Sequence, residues 1–482
     1  MYSIYDIFFY FQKIRYRTQS VRSVINENST FHWHYFLIMP ESKENRDWSS
    51  GDGLLPGRES IGPLFLMGTT PCFSIAYFHV VSKLNGDFIE LGRMFYNDGV
   101  FSTFQSIWPN PWDPVAWKLI LGFMAIQLFF MRCMPGKRFE ATLTPTGHLP
   151  VYKANGLQSY IATLALLLIT AKLGYFRPAL VYDKFGEILS SLNIFALLFC
   201  TMLVFKGYLS PSTADSGSNG NFIIDFYWGM ELYPRILGFD VKMFTNCRSG
   251  MMYWAVGIIC YAHKNMELNN NQLQIGMAVN VALQLVYVTK FFLWETGYLC
   301  SMDIQHDRAG YYICWGCLVW VPSVYTSSSF YMATQGPDVS PTLGLIIFLL
   351  GFLMIWINYD ADNQRYIFRR TNGECLIWGY KPRRIVAEYT SGDSIRKSLL
   401  LLDGWWRVSR HFHYMPEILA SFFWSLPALN SGFVGPYFYV VYLTILLTDR
   451  AFRDDDRCKK KYGPYWDQYC SEVPYKIVPY IV

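Results

Sequence analysis

The sequence predicts an all-α membrane protein, a bundle of eight to ten transmembrane helices. Three observations predict it. The chain of 482 residues is 52% hydrophobic and only 16% charged, where soluble chains are about a quarter charged. Its apolar residues come in long runs, several near the roughly 20 residues that cross a ~30 Å hydrocarbon core. Those runs do not alternate, and of the two structures that satisfy the backbone in lipid, helix and closed barrel, unbroken runs select helix.

In order, spans are expected at 60–82, 114–134, 156–175, 188–209, 250–266, 276–299, 310–332 and 342–359, with two shorter runs, 413–429 and 433–448, forming a tight hairpin. Residues 1–55 are different. They are basic, polar and aromatic without a clean period, a divergent extension prone to disorder. The "NST" at 28–30 matches a glycosylation pattern that a cytosolic location would leave unused. No cleavable signal peptide is visible at the start. Eleven cysteines are scattered without a disulfide framework. "CWGC" at 314–317 lies inside an apolar run and reads as packed thiols.

Net charge is +5, and the basic excess is local. Residues 361–413 hold ten Lys/Arg against five Asp/Glu, and 449–482 hold seven against six. Short basic segments stay on the cytosolic side. Both segments are therefore expected there, joined by the even number of spans that the hairpin supplies.

Ionisable groups near apolar helix are costly and tend to face a cavity or a partner. Asp225, Glu231 and Arg235 lie in "NFIIDFYWGMELYPRI"; Glu295, Asp303, His306, Asp307 and Arg308 lie in "WETGYLCSMDIQHDRAGYY". An interfacial loop that meets water is the alternative. Three basic clusters converge on the cytosolic face: Arg365/Arg369/Arg370, Arg407/Arg410, and Arg457 to Lys461. Arginine's planar fork suits phosphate, and Trp405, Trp406, Tyr414, Tyr462 and Tyr469 are interleaved for stacking. A pocket for a phosphorylated, ring-bearing cofactor and a charge belt for anionic lipid both fit. No GxGxxG, GxxxxGK[ST] or HExxH motif is present. The histidines of "HFH" (411–413) are two apart and do not share a helical face, so no metal site is assigned.

"GWWRVSRHFHYMPEILASFFW" (404–424) and "RDDDRCKKKYGPYWDQYC" (453–470) resemble the two signatures of the sterol reductase family, which includes delta-14 and delta-7 enzymes and the membrane domain of the lamin B receptor. "VYKANGLQSYIATL", "GNFIIDFYWGMELYPRI", "DVKMFTNCRSGMMYWAV", "MDIQHDRAGYYICWGCLVWVPSVYTS", "FRRTNGECLIWG" and "VAEYTS" are similar to the delta-7 branch, in its plant type. The likeness runs from about residue 60 to the end, so 56–482 is expected to be one multi-pass domain with a cofactor-binding half at about 350–482. The resemblance implies about ten transmembrane helices in the endoplasmic reticulum, a cytosol-facing NADPH pocket, and a lipid-open sterol pocket beside it. It implies reduction of the C7=C8 bond of a 5,7-diene sterol. Membrane lipid and other enzymes of sterol biosynthesis are the expected further partners, and nucleic acid is not.

Matched position by position, the family's cofactor contacts fall on Arg365, Arg369, Leu401, Trp406, His413, Tyr414, Asp454, Cys458, Lys459, Lys460, Lys461, Tyr462 and Tyr469. Two departures stand beside them. Asp403 replaces the usual serine before Gly404, and Arg407 replaces the usual glycine after the two tryptophans; Arg407 is expected to offset the new carboxylate. Reducing an isolated alkene takes a hydride, which the cofactor carries, and a proton. Tyr287, placed by resemblance near the nicotinamide side of the sterol pocket, is the expected donor. Glu295, Asp303 and His306 are its expected supporting polar chain, and Glu231 or Glu295, kept protonated by desolvation, are alternative acids. The rival readings are a delta-14 reductase and a non-catalytic sterol-binding homologue. A transporter is disfavoured for want of an internal repeat.

Overall fold

The computed structural model describes residues 61–481 apart from 142, 145, 336, 337, 392 and 393. The expectations for residues 1–55 lie outside these. Nearly every element is helical. The first are α1 (Ile61–Lys83), α2 (Phe88–Asp98), α3 (Val100–Ile107), α4 (Pro114–Cys133), α5 (Gly156–Lys172), α6 (Ala179–Asp183) and α7 (Phe185–Leu209), with a hairpin of β1 (Lys137–Glu140) and β2 (Val151–Ala154) between α4 and α5. Local chemistry marks their starts. Asp87 and Asp113 each accept from two backbone N–H groups of the first turn, and Pro114 occupies the first position of α4, where no N–H is needed.

The chain continues through α8 (Phe222–Trp228), a short pair β3 (Arg235–Ile236) and β4 (Phe239–Asp240), α9 (Met251–Leu268), α10 (Ile275–Leu293), α11 (Glu295–Tyr298), α12 (Met302–Gln305), α13 (Tyr311–Trp315), α14 (Ser327–Met332) and α15 (Pro341–Arg370). It ends with the antiparallel hairpin β5 (Arg384–Ser391) and β6 (Ser394–Leu401), then α16 (Tyr414–Ser425), α17 (Phe438–Tyr462) and α18 (Pro464–Glu472).

Among the described residues, α1, α4, α7, α10 and α15 are long and apolar enough to cross a membrane. They fall on five of the expected spans. The others differ in instructive ways. The run at 156–175 gives α5, a shorter apolar helix of 17 residues. The run at 250–266 gives α9, which is not among those five, and the run at 310–332 is not plain α-helix. A π-helical stretch, Met243–Gly250, leads into α9, and a second, Gly316–Tyr325, joins α13 to α14. The two stretches pack against each other. Pro322 sits inside the second and has no N–H to donate. The expected terminal hairpin is present as α16 and α17, but α16 has only 12 residues and α17 runs 25, carrying its apolar first half on into charge.

One close approach fixes the loop before α13. Gly229 has φ +95, and a Cβ there would meet the backbone of Ala309 at 2.5 Å; one on Gly310 would meet the nitrogen of Gly229 at 2.3 Å. Only glycine lets these two chains cross. Ala309 and Gly310 are thereby pinned beside the end of α8.

Candidate functional site

The site is built at one end of the bundle, where α15 stops. Arg365 and Arg369 are four residues apart and so share a face of that helix. The next turn, Gly404–Arg407, docks back on it. Gly404 has φ +68, and a Cβ there would meet Gln364 Oε1 at 2.1 Å. Trp406 follows, buried, its Nε1 donating to the Ala361 carbonyl at 2.8 Å. The Arg365 guanidinium lies 4.6 Å from the centre of the Trp406 ring, a cation–π pair. Leu401 packs with Phe368 and Trp406 and forms the apolar wall behind them.

The tail closes the other side. Tyr462, Trp466 and Tyr469 bury themselves against Ile385, Ala387 and Leu400 of the hairpin. The backbone after α18 then runs beside residues 409–411. Arg410 N donates to the Tyr475 carbonyl at 2.9 Å, His411 N to Lys476 at 2.7 Å, and Ser409 Oγ to Ile477 at 2.7 Å. His411 stacks on Tyr414 (5.2 Å, 11°), and His413 lies 5.1 Å from the Trp406 ring.

Asp454 is the electrostatic centre. It bonds Arg457, lies 3.9 Å from Cys458 Sγ and 4.0 Å from His411 Nε2. Burial raises its pKa, but Arg457, His411 and Arg365 together outweigh that and hold the carboxyl at about 2. Burial lowers His411 to about 4 and raises the Cys458 thiol to about 12. Arg365 acts on Asp454, Cys458 and Tyr469 as well, and Arg369 is reached by Tyr462, Cys458 and Asp454.

Most of the residues named from sequence are therefore brought together: Arg365, Arg369, Leu401, Trp406, His413, Tyr414, Asp454, Cys458, Tyr462 and Tyr469. Lys461 lies over Tyr389 at 4.3 Å, at the hairpin. Lys459 and Lys460 are exposed, and Lys459 pairs with Asp467 at 3.8 Å. Arg457, a member of the third basic cluster but not of the matched cofactor positions, and His411, which sequence did not single out as a site residue, flank Asp454.

These residues fit a phosphorylated nicotinamide cofactor. Neither Arg365 nor Arg369 is taken up by a salt bridge among the described residues. His411 Nε2, His413 Nδ1 and Arg457 Nη1 are buried here without a hydrogen-bond partner, and buried polar atoms left unpaired mark a place where a polar ligand belongs.

The expected supporting chain of Tyr287 does not exist as one unit. Glu295 is buried against Arg248 (2.6 Å) and accepts from Gly156 N at 2.7 Å, while Arg248 also bonds Asn155 at 2.9 Å. Glu295 therefore ties the start of α5 to α11. Glu231 is likewise committed, to Lys206 at 2.6 Å and Ser212 N at 2.5 Å. Asp303 pairs with Arg450 at 2.7 Å. His306 feels Arg457, Asp454 and Lys461, with burial as the main cause of a pKa of about 3. Asp303 and His306 thus belong beside the cluster around Asp454. Tyr287 instead donates to Glu417, on the first turn of α16. Its ring lies 5.4 Å from those of both Trp254 and Trp424, with Tyr439 stacked on Trp424 at 5.9 Å. The signal that finds Glu417 is a lone carboxylate in an apolar run.

Asp403 does not depend on Arg407. It accepts from Arg383 N at 2.6 Å and pairs with the Arg383 side chain at 3.3 Å, while Arg407 is exposed.

The model of the ergosterol biosynthesis ERG4/ERG24 family matches residues 55–482. The chain belongs to that family. Within it, the chain is 52% identical to a 7-dehydrocholesterol reductase of Arabidopsis thaliana, over 86% of this chain and 96% of the relative. It is 36% identical to a 7-dehydrocholesterol reductase of Xenopus laevis, over 75% of this chain and 79% of the relative. A delta(14)-sterol reductase of Methylotuvimicrobium alcaliphilum is 33% identical over 79% of this chain and 88% of its own. The match to the family model takes in every residue of the cluster around Asp454 and both Tyr287 and Glu417.

Proposed function

We propose that this chain is an NADPH-dependent delta-7 sterol reductase, reducing the C7=C8 bond of 5,7-diene sterols as a multi-pass protein of the endoplasmic reticulum membrane. The observation that carries the reading is the convergence of residues 365–369, 404–414 and 454–469 into one cationic, aromatic cluster. The 52% identity to a plant 7-dehydrocholesterol reductase favours delta-7 over delta-14. In this reading the fold is a bundle of about ten transmembrane helices within residues 56–482, with the cluster open to the cytosol.

Arg365 and Arg369 would hold the cofactor's phosphates, Trp406, Tyr414 and Tyr469 would flank its rings, and Asp454 would accept from a hydroxyl or an amide. When bound, NADPH supplies the hydride. The chain supplies the rest. Tyr287 holds a proton at its hydroxyl among aromatic faces that favour a passing carbocation. Lys459 and Lys460 stay outside the contact set. Asp403, bound by Arg383, does not repel phosphate, so the two departures from the family pattern are compatible with catalysis. Sterol and membrane lipid are the partners.

The test is sterol profiling in a yeast that accumulates 5,7-dienes. Loss of the conjugated-diene ultraviolet absorption, with 5-ene products, is expected. An unchanged diene signal with the protein present in the membrane overturns the delta-7 reading.

A further inference from the structure

Tyr287 and Lys290 are three residues apart on α10 and share a face. Between them and α15 stands Glu417. Tyr287 Oη meets its carboxyl, Lys290 Nζ meets Asn358 Oδ1, and Asn358 Nδ2 donates to the His413 carbonyl at 2.8 Å. Lys290 also lies 5.7 Å from the Tyr287 ring centre. Glu417 is faced by Tyr287 and Lys290 from α10, by Asn358 and Asp362 from α15, and by Tyr439 from α17. Asp362 in turn faces Lys290 and Arg365. Titratable groups Glu417, Lys290 and Asp362 therefore lie between the phenol and Arg365. A carboxyl and a phenol in contact can exchange which of them donates.

We propose that Glu417 is the proton reservoir behind Tyr287. The proposal rests on the delta-7 reading. Protonated Glu417 passes its proton to the Tyr287 oxygen as Tyr287 gives its own to the sterol alkene. The alkene π pair forms the new C–H bond, and the carbon left cationic takes the hydride of the reaction, so one proton and one hydride saturate the double bond. Glu417 is left as a carboxylate facing Lys290 and recovers its proton from solvent by way of Lys290 and Asp362. Tyr287 is then the residue that meets substrate, and Glu417 is a positioning and relay residue behind it.

Purified full-length protein is assayed with NADPH and a 5,7-diene sterol. Glu417→Gln is expected to lower kcat about 100-fold, in the range of a lost acid–base group, with the NADPH dissociation constant within about twofold of wild type. Glu417→Asp keeps a carboxylic acid and should recover activity to within about tenfold. The fall of wild-type kcat at alkaline pH should be absent from the residual activity of Glu417→Gln. Tyr287→Phe/Glu417→Gln should be no slower than Tyr287→Phe. Glu417→Gln within about threefold of wild type, or a loss carried wholly by KM, overturns the relay and leaves the delta-7 reading standing. Should Glu417→Gln fail to fold, a proton inventory of the wild type in mixed light and heavy water decides: a curved dependence supports two protons in flight, and a straight line overturns it. No diene loss by the wild type overturns both readings.

Discussion

Arg365 reaches the cluster with its charge and its plane together. The plane rests on Trp406 at 4.6 Å, which lysine's compact ammonium reproduces poorly. Arg369→Ala should therefore cost a charged hydrogen bond, about 1.5–3 kcal/mol, which raises the NADPH dissociation constant on the order of 10- to 100-fold. Arg365→Lys should cost less because the charge stays. Calorimetric titration of NADPH into the purified protein checks both, and Tyr287→Phe, which lies away from this strip, should leave the constant unchanged. At this scale the cationic and aromatic members of the site were readable from sequence, because guanidinium and ring side chains at short spacing state their chemistry. The supporting acids were not. Glu295 beside a span resembles a catalytic acid, and only the fold reveals Arg248 against it at 2.6 Å. Glu417 is a single carboxylate in an apolar run, and the sequence names no partner for it.

Between elements, two ion pairs fasten the loop around α12 to α17. Asp307 meets Arg453 at 2.9 Å with both buried, and Asp303 meets Arg450 at 2.7 Å with both about a fifth exposed. Breaking a buried pair leaves a charge uncompensated and costs about 3–5 kcal/mol; a pair that water still reaches costs less. Asp307→Asn should accordingly lower the thermal midpoint of the detergent-solubilised protein well below that of Asp303→Asn, and equal shifts would refute the ranking. The elements show why periodicity alone reached only part of the fold. It located the five long apolar helices. It missed the π-helical stretch Gly316–Tyr325, since a wider winding leaves the run of apolar residues unchanged and alters only which side chains share a face. The role of the hairpin β5–β6 as the floor for Tyr462 and Tyr469 came from segments far apart in the chain.

For the molecule as a whole, acid sensitivity follows from His306 and His411. Burial holds them at about 3 and about 4 in the folded state, against an ordinary value near 6.5. As pH falls below about 6.5 the unfolded chain takes up these protons and the folded chain does not, so stability is fully present above that pH and is lost towards pH 4. Thermal midpoints recorded between pH 7.5 and 5 should fall, and His306→Gln should flatten part of the slope; a midpoint independent of pH in that window would exclude the contribution.

Lys242 gives the loop around α12 a different kind of permanence. It is wholly buried, and its ammonium donates to the carbonyls of Asp303 at 3.0 Å, Ile304 at 2.6 Å and Asp307 at 2.8 Å. Three converging carbonyl oxygens are the cage in which many proteins seat a dissolved metal ion. Here the cation is tethered to the backbone by its own side chain, so chelators and changes in buffer salt have no bound ion to extract from the segment that carries Asp303, His306 and Asp307.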